Sequence, residues 1–248
     1  MSDIPNVVSE TYLKKLLCSG EMVKIRPAMV KEERIWLVGK DSENPKDLVE
    51  ALATVTQNCI VDPPNFKVLN MGYNDFIWLF LEIMKVSKGD TIHLEVECPD
   101  EQCGFVEKRM PFKISEITTI KNLGINKSNI VKLSDDQGVE VKYPTLSYML
   151  SLDQKSESTI KKNRKLQEYD LIQNHILAYL DKDSRYPFKN TEQAIEWTSN
   201  NLTSKNIEKI KEWFMNEPTP VFNIKWECSK CKRENKIEDF QLLRFLGL

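Results

Sequence analysis

The sequence predicts an α+β protein with a helical N-terminal core, antiparallel strands, paired cysteine hairpins of zinc-ribbon-like form and a helical insertion. Three observations carry that prediction. Apolar residues recur at helical spacing through residues 45–59 and 74–88, they alternate along short runs bounded by turn residues, and two of those runs end in cysteine pairs. At 248 residues, 41% apolar and 29% charged, the chain is long enough to bury a core as one large domain or two small ones.

Residues 1–20 read as an N-terminal tether ending in a small helical patch of Val8, Tyr12, Leu13, Leu16 and Leu17. Met22 to Arg26 alternates as a short strand, and Pro27 suits the first turn of a helix that spans Met29 to Gly39. A second helix starts at Pro45, carries Leu48, Val49, Leu52, Val55 and Cys59, and stops before Pro63 and Pro64. The third, about Asn74 to Lys88, is apolar on more than one face and belongs at the centre of the domain, with Gly89 closing it.

Strand Thr91 to Glu97 then leads into Cys98 and Cys103, and the chain returns through Phe105 and Met110. A second hairpin is marked by Ile130 to Leu133, the turn Ser134 to Gly138, and Val139 to Tyr143. Residues 145–217 read as a helical insertion, with a long amphipathic helix over roughly Ser156 to Leu180 and shorter helices at Thr191 to Thr198 and Ser204 to Met215. Strand Val221 to Glu227 carries Cys228 and Cys231, and a short helical pattern runs from Glu238 to Leu248. The domain organisation predicted is therefore the tether over 1–20, a core over 21–144 and 218–248, and the insertion over 145–217.

Ile92, Leu94, Val96 and Cys98 alternate along one run, and Phe222, Ile224, Trp226 and Cys228 do the same along the other. Thiolates at the tips of two hairpins make a tetrahedral site for a soft or borderline cation, most often zinc, formed here by Cys98, Cys103, Cys228 and Cys231. Four thiolates leave no vacancy for a substrate water, so the predicted role is structural rather than catalytic; an iron-sulfur centre and a metal-free cluster are the alternatives. Lys230, Lys232 and Arg233 partly offset the negative charge of such a site. Cys59 reads as a small buried hydrophobe, and His93 and His175, the only histidines, take surface or cap roles.

A net charge of −2 gives no basic field for nucleic acid, and the basic run Lys161, Lys162, Arg164 and Lys165 reads as a solvated helical face. No apolar run is long enough to span a bilayer, and the first 17 residues lack the apolar stretch of a signal peptide. Phosphate-binding loops, nucleophile elbows and paired-histidine motifs are missing, which argues against an enzyme and a small-molecule substrate. Apolar groups on Tyr12, Leu16 and Leu17, and on Phe240, Leu243, Phe245 and Leu246, are the candidate partner-binding surfaces, together with the outer face of the long helix.

The segments Lys24-Ile25-Arg26-Pro27, Val30-Lys31-Glu32-Glu33-Arg34 and Gln57-Asn58-Cys59-Ile60 occur in the same order as Tyr73-Asn74-Asp75-Phe76-Ile77-Trp78-Leu79-Phe80-Leu81 and Lys85-Val86-Ser87-Lys88-Gly89-Asp90, which precedes the strand to Cys98-Pro99. In these segments residues 21–112 resemble the baseplate hub proteins of T-even-type contractile-tailed bacteriophages, and Ile130 to Pro144 is similar to that family's hairpin. The resemblance implies a non-enzymatic, late phage protein whose partners are other baseplate hub proteins. It implies either an assembly chaperone for the hub, acting in the host cytoplasm, or a structural hub subunit retained in the virion baseplate. The long helical insertion favours the assembly factor, and a zinc-ribbon regulator of host transcription is the alternative from another class.

Overall fold

The protein is described by a computed structural model over residues 9–42, 44–126, 128–155 and 164–240. In chain order it forms β1 (Tyr12–Lys15), β2 (Met22–Ile25), α1 (Val30–Lys40), α2 (Pro45–Cys59), β3 (Ile60–Asp62), a single 3-10 turn (Val68–Asn70) and α3 (Tyr73–Lys88). Next come β4 (Thr91–Glu97), β5 (Val106–Lys113), α4 (Ile114–Ile117), β6 (Thr118–Lys121), β7 (Ile130–Lys132), β8 (Gln137–Val141) and α5 (Leu146–Lys155). The remainder is α6 (Arg164–Gln173), β9 (Ile176–Asp181), β10 (Ser184–Pro187), α7 (Thr191–Asn201), α8 (Ser204–Met215), β11 (Thr219–Glu227) and β12 (Glu234–Phe240). This is the α+β class expected, with antiparallel sheets throughout its registered strand pairs. The chain divides into two compact units, residues 1–68, 74–121 and 220–248 in one, and 69–73 with 122–219 in the other.

In the first unit α3 is the central element, as its apolar composition demands: Phe76, Leu79, Phe80 and Ile83 are fully buried. Trp36 of α1 stacks on Phe80 at 5.1 Å between ring centroids. Helix α2 begins as predicted at Pro45, where the Asn44 side chain accepts the Lys46 amide at 3.1 Å. Glycine is required at position 39, because a Cβ there would stand 2.4 Å from the Ala51 Cβ where α1 crosses α2.

The N-terminal segment differs from expectation. Residues 12–15 form a strand, not a helical patch, with Tyr12 opposite Ile25 and Lys15 opposite Met22, in a three-stranded sheet ordered β1-β2-β3. A polar stripe on α3 holds this segment down. Asp75 accepts the Cys18 and Ser19 amides at 2.7 and 3.1 Å, Trp78 Nε1 donates to the Lys15 carbonyl at 3.2 Å, and the Lys14 ammonium meets Glu82 at 2.6 Å. Tertiary partners thus set the backbone state where the apolar spacing alone reads as helix.

In the second unit a four-stranded sheet ordered β10-β9-β8-β7 packs Val131, Val139, Val141 and Ile176 against Ile172, Ile207, Ile210 and Trp213. The hairpin β7-β8 and the helices α7 and α8 lie where the sequence puts them, capped by Asn190 and Thr203. The long helix over Ser156 to Leu180 is corrected: α6 ends at Gln173, and residues 176–181 cross the sheet as β9 between β8 and β10. The helical insertion therefore contains strands. Ile176, Leu177, Ala178, Tyr179 and Leu180 include good helix formers, but pairing on both edges and burial on alternate residues outweigh propensities of a few tenths of a kcal/mol each. Residues 156–163, including Lys161 and Lys162, lie outside the described residues.

His175, read from sequence as a surface or cap residue, is 2% exposed between Tyr148 and Phe214, with Nδ1 2.6 Å from the Leu171 carbonyl. Burial, assisted by the nearby Lys142 charge and opposed by the Leu171 carbonyl, lowers its pKa from 6.5 to about 4.

Two predictions follow from this packing. The helix-propensity gain of about 1 kcal/mol in Gly39→Ala is smaller than an overpacking penalty of about 3 kcal/mol, so urea unfolding should show a net loss of about 2 kcal/mol. For His175, the depressed folded pKa means that its contribution is complete above pH 6.5 and is lost as pH falls through the window down to about 4. That loss is on the order of 3 kcal/mol, and a stability-versus-pH series should show His175→Gln with a correspondingly flatter acid limb.

Candidate metal centre

Strands β4 and β5 form a two-stranded antiparallel sheet whose connection carries Cys98 and Cys103, and β11 and β12 form the hairpin that carries Cys228 and Cys231. Each connection is closed by the same backbone device. The Cys98 amide donates to the Phe105 carbonyl and the Cys228 amide to the Arg233 carbonyl, both at 2.9 Å. The residue after each second cysteine turns through positive φ, +48° at Gly104 and +62° at Lys232. In the first loop, the Cys103 and Gly104 amides both reach the Asp100 carbonyl at 2.9 Å; in the second, the Lys232 amide reaches Cys228 at the same distance. The alternation that ends each strand in a cysteine therefore delivers its sulfur to a tight turn.

The four sulfurs converge, all within 4.8 Å of one another. Cys98 Sγ is 3.6 Å from Cys231 Sγ, and Cys103 Sγ is 3.8 Å from Cys228 Sγ, so both short contacts run between the hairpins. Zinc–sulfur bonds of about 2.3 Å in a regular tetrahedron place the sulfurs about 3.8 Å apart. The observed separations fit a tetrahedral cation and are far too long for disulfides, and all four cysteines are free thiols. Cys98 and Cys228 are buried, Cys103 is partly exposed, and Cys231 is exposed.

Charge around the cluster is balanced locally. Arg233 bonds Asp100 at 3.2 Å, tying the two turns together, and Ser229 Oγ donates to Glu107 at 2.7 Å. Without a cation the thiols ionise unequally. The Asp100 amide favours the Cys98 thiolate, but burial and the three neighbouring thiols outweigh it, and the pKa is pushed up to about 12. Cys228, favoured by the Cys231 amide against burial, is lowered to about 7. A bound divalent cation would replace that competition with a common positive partner for all four thiolates.

The other residues singled out in the sequence are not brought to this cluster. Cys59 is buried in α2, where desolvation raises its thiol to about 11, and His93 lies on β4 with its side chain exposed. Tyr12 donates to Glu10 at 2.7 Å, Leu17 is half-buried, and Leu16, a candidate partner contact, is 2% exposed and therefore part of the core. Phe240 ends β12 opposite Phe222, while Leu243, Phe245 and Leu246 lie outside the described residues. Sequence reading missed the outer face of α1. Val30, Leu37 and Val38 are 65, 55 and 75% exposed, and Arg34 shares their face. The signal was the spacing i, i+4, i+7, i+8, hidden because Ile35 and Trp36 make the same helix apolar on its inner side as well.

A family model described as T4 bacteriophage base plate protein matches residues 8–247. No curated protein and no solved structure matches.

Titration of the reduced protein with cobalt(II) should saturate at one equivalent with the visible absorption of a tetrahedral tetrathiolate site. Cys228→Ser should remove that spectrum, and saturation at a different stoichiometry would contradict a single four-sulfur site.

Proposed function

We propose that this chain, which belongs to the T4 bacteriophage base plate protein family, promotes assembly of the baseplate hub by binding other baseplate proteins and catalyses no reaction. The family match across residues 8–247, nearly the whole chain, supports a role in the baseplate, and the assembly role is this reading's own step beyond it. The geometry supports it. A four-thiolate site is coordinatively closed, so it offers a clasp and no position for substrate. The exposed Val30, Leu37 and Val38 of α1, with Arg34 among them, offer an apolar surface that a partner could cover. Among the described residues no helix is long and apolar enough to cross a membrane.

The native occupant of the clasp in this reading is structural zinc, supported by the sulfur separations and by the all-thiolate donor set. Its role is to hold the two hairpins together, and assembly takes place in the host cytoplasm. A hub subunit kept in the virion would use the same surfaces, so the distinguishing property is whether the protein stays.

Metal analysis of protein purified without added metal should give about one zinc per chain; iron with a visible chromophore would reassign the cluster. A mass-spectrometric inventory of purified virions should find the protein far below the stoichiometry of tail components. Its presence at full stoichiometry in mature tails would replace the assembly-factor reading with that of a permanent subunit.

A further inference from the structure

The four cysteines differ in access in a way that pairs them. Cys231 is exposed, and its close neighbour, Cys98 Sγ at 3.6 Å, is buried on the other hairpin. Cys103 is partly exposed, and its close neighbour, Cys228 Sγ at 3.8 Å, is again buried on the other hairpin. Each contact thus joins an accessible sulfur to a buried one, and the two contacts share no residue.

Backbone pairing keeps the hairpins side by side while the sulfurs react. Strand β6, which follows β5 after the single turn of α4, pairs with β11, and Asn223 Nδ2 of β11 donates to Thr119 Oγ1 of β6 at 2.7 Å. Arg233 and Ser229 of the second hairpin bond Asp100 and Glu107 of the first. The fold therefore favours links between the hairpins. In an unfolded chain, by contrast, loop closure favours the short links Cys98 to Cys103 and Cys228 to Cys231.

We propose that the cluster is also a redox site, at which a peroxide converts the four thiols into two disulfides that cross between the hairpins, Cys98 with Cys231 and Cys103 with Cys228. The Cys231 thiolate attacks one peroxide oxygen, the O–O bond breaks, and the leaving hydroxide takes a proton to become water. The Cys98 thiolate then attacks the sulfenic sulfur of Cys231, whose hydroxyl leaves as a second water on protonation, and the sulfur–sulfur bond forms at about 2.05 Å. Each disulfide consumes one peroxide, which gains the two electrons the sulfurs lose. Cys103 and Cys228 repeat the sequence, and a bound cation, left without donors, is released. The inference rests on the reading of the cluster as a clasp but not on the identity of its cation. The same four residues join the hairpins through a cation in reducing surroundings and through sulfur–sulfur bonds in oxidising ones.

Peptide mapping under non-reducing conditions tests this on the full chain, as purified and after treatment with hydrogen peroxide. Trypsin cleaves after Lys230 and a glutamate-specific protease after Glu101, so every pairing of the four cysteines gives distinct linked peptides. In the folded protein all four free thiols should be lost, the link between Cys98 and Cys231 should appear first, and that between Cys103 and Cys228 should follow with release of the cation to a chromophoric chelator. Oxidation in urea should instead give the links within each hairpin. Links within each hairpin in the folded protein would overturn the proposal. So would four intact thiols at a peroxide dose that oxidises free cysteine, or sulfinic acid at Cys231 without a link. Protein that holds no metal before treatment yet gives the crossed links contradicts the zinc reading alone.

Discussion

The convergence of four sulfurs from residues 98 and 103 with 228 and 231 is the constraint on which the arrangement of the chain depends. Everything between Cys103 and Cys228, including the whole sheet β10-β9-β8-β7 and its helices, is a loop whose two ends meet at that cluster. Closing a loop of this order removes on the order of 4–5 kcal/mol of unfolded-chain entropy if it is fixed covalently. Coordinate bonds from a structural zinc are worth about 10–16 kcal/mol in small domains, so a cation in this site outweighs the closure term. Hydrogen bonds such as Arg233 to Asp100 orient the two turns, but an exposed pair contributes at most about 1 kcal/mol and does not hold them alone.

Away from the cluster, the fold is organised by charges that are buried and answered. Glu32 is fully buried at the start of α1, where it accepts the Met29 amide at 2.8 Å and meets Arg26 at 3.1 Å. Burial opposes its ionisation, yet the Arg26 and Met29 contacts leave the carboxyl below its ordinary pKa. Arg26 in turn donates to the Asn58 and Pro27 carbonyls at 2.8 Å each, joining the end of β2 to the end of α2. Glu82 repeats the pattern on α3: burial opposes the charge, and Lys14 and Lys85 overcome it. Removing one partner of such a pair is worse than never having had it, because the other charge stays buried.

These pairs explain why part of the structure was legible in the sequence. The segments around Arg26-Pro27, Glu32 and Asp75 that resemble the baseplate family carry structural anchors, so the motif signal and the fold coincide there. Helices α2 and α3 and the cysteine hairpins were legible because periodicity, caps and turn residues agree. The strands β1 and β9 were not, because their state is decided by partners distant in sequence: Trp78 and Asp75 for the first, β8 and β10 for the second. His175 was misplaced for the same reason, since its apolar surroundings come from α5 and α8 as well as from its own segment.

The same distinction separates the cysteine cluster from the exposed apolar surface of α1. Spacing revealed the cysteines because each pair is local; the contact between pairs is not, yet the chemistry of four thiols admits few arrangements. An interaction face has no such chemical signature. On α1, Gly39 must be glycine to let α2 approach and Trp36 stacks on Phe80, whereas Leu37 and Val38 are exposed and no described residue buries them. Their exposure disfavours the isolated chain relative to polar residues at those positions. Helix α1 thus satisfies the core on its inner face and leaves Val30, Leu37 and Val38 exposed beside Lys31, Arg34 and Lys40 on the other, so no packing constraint marks those positions in the sequence.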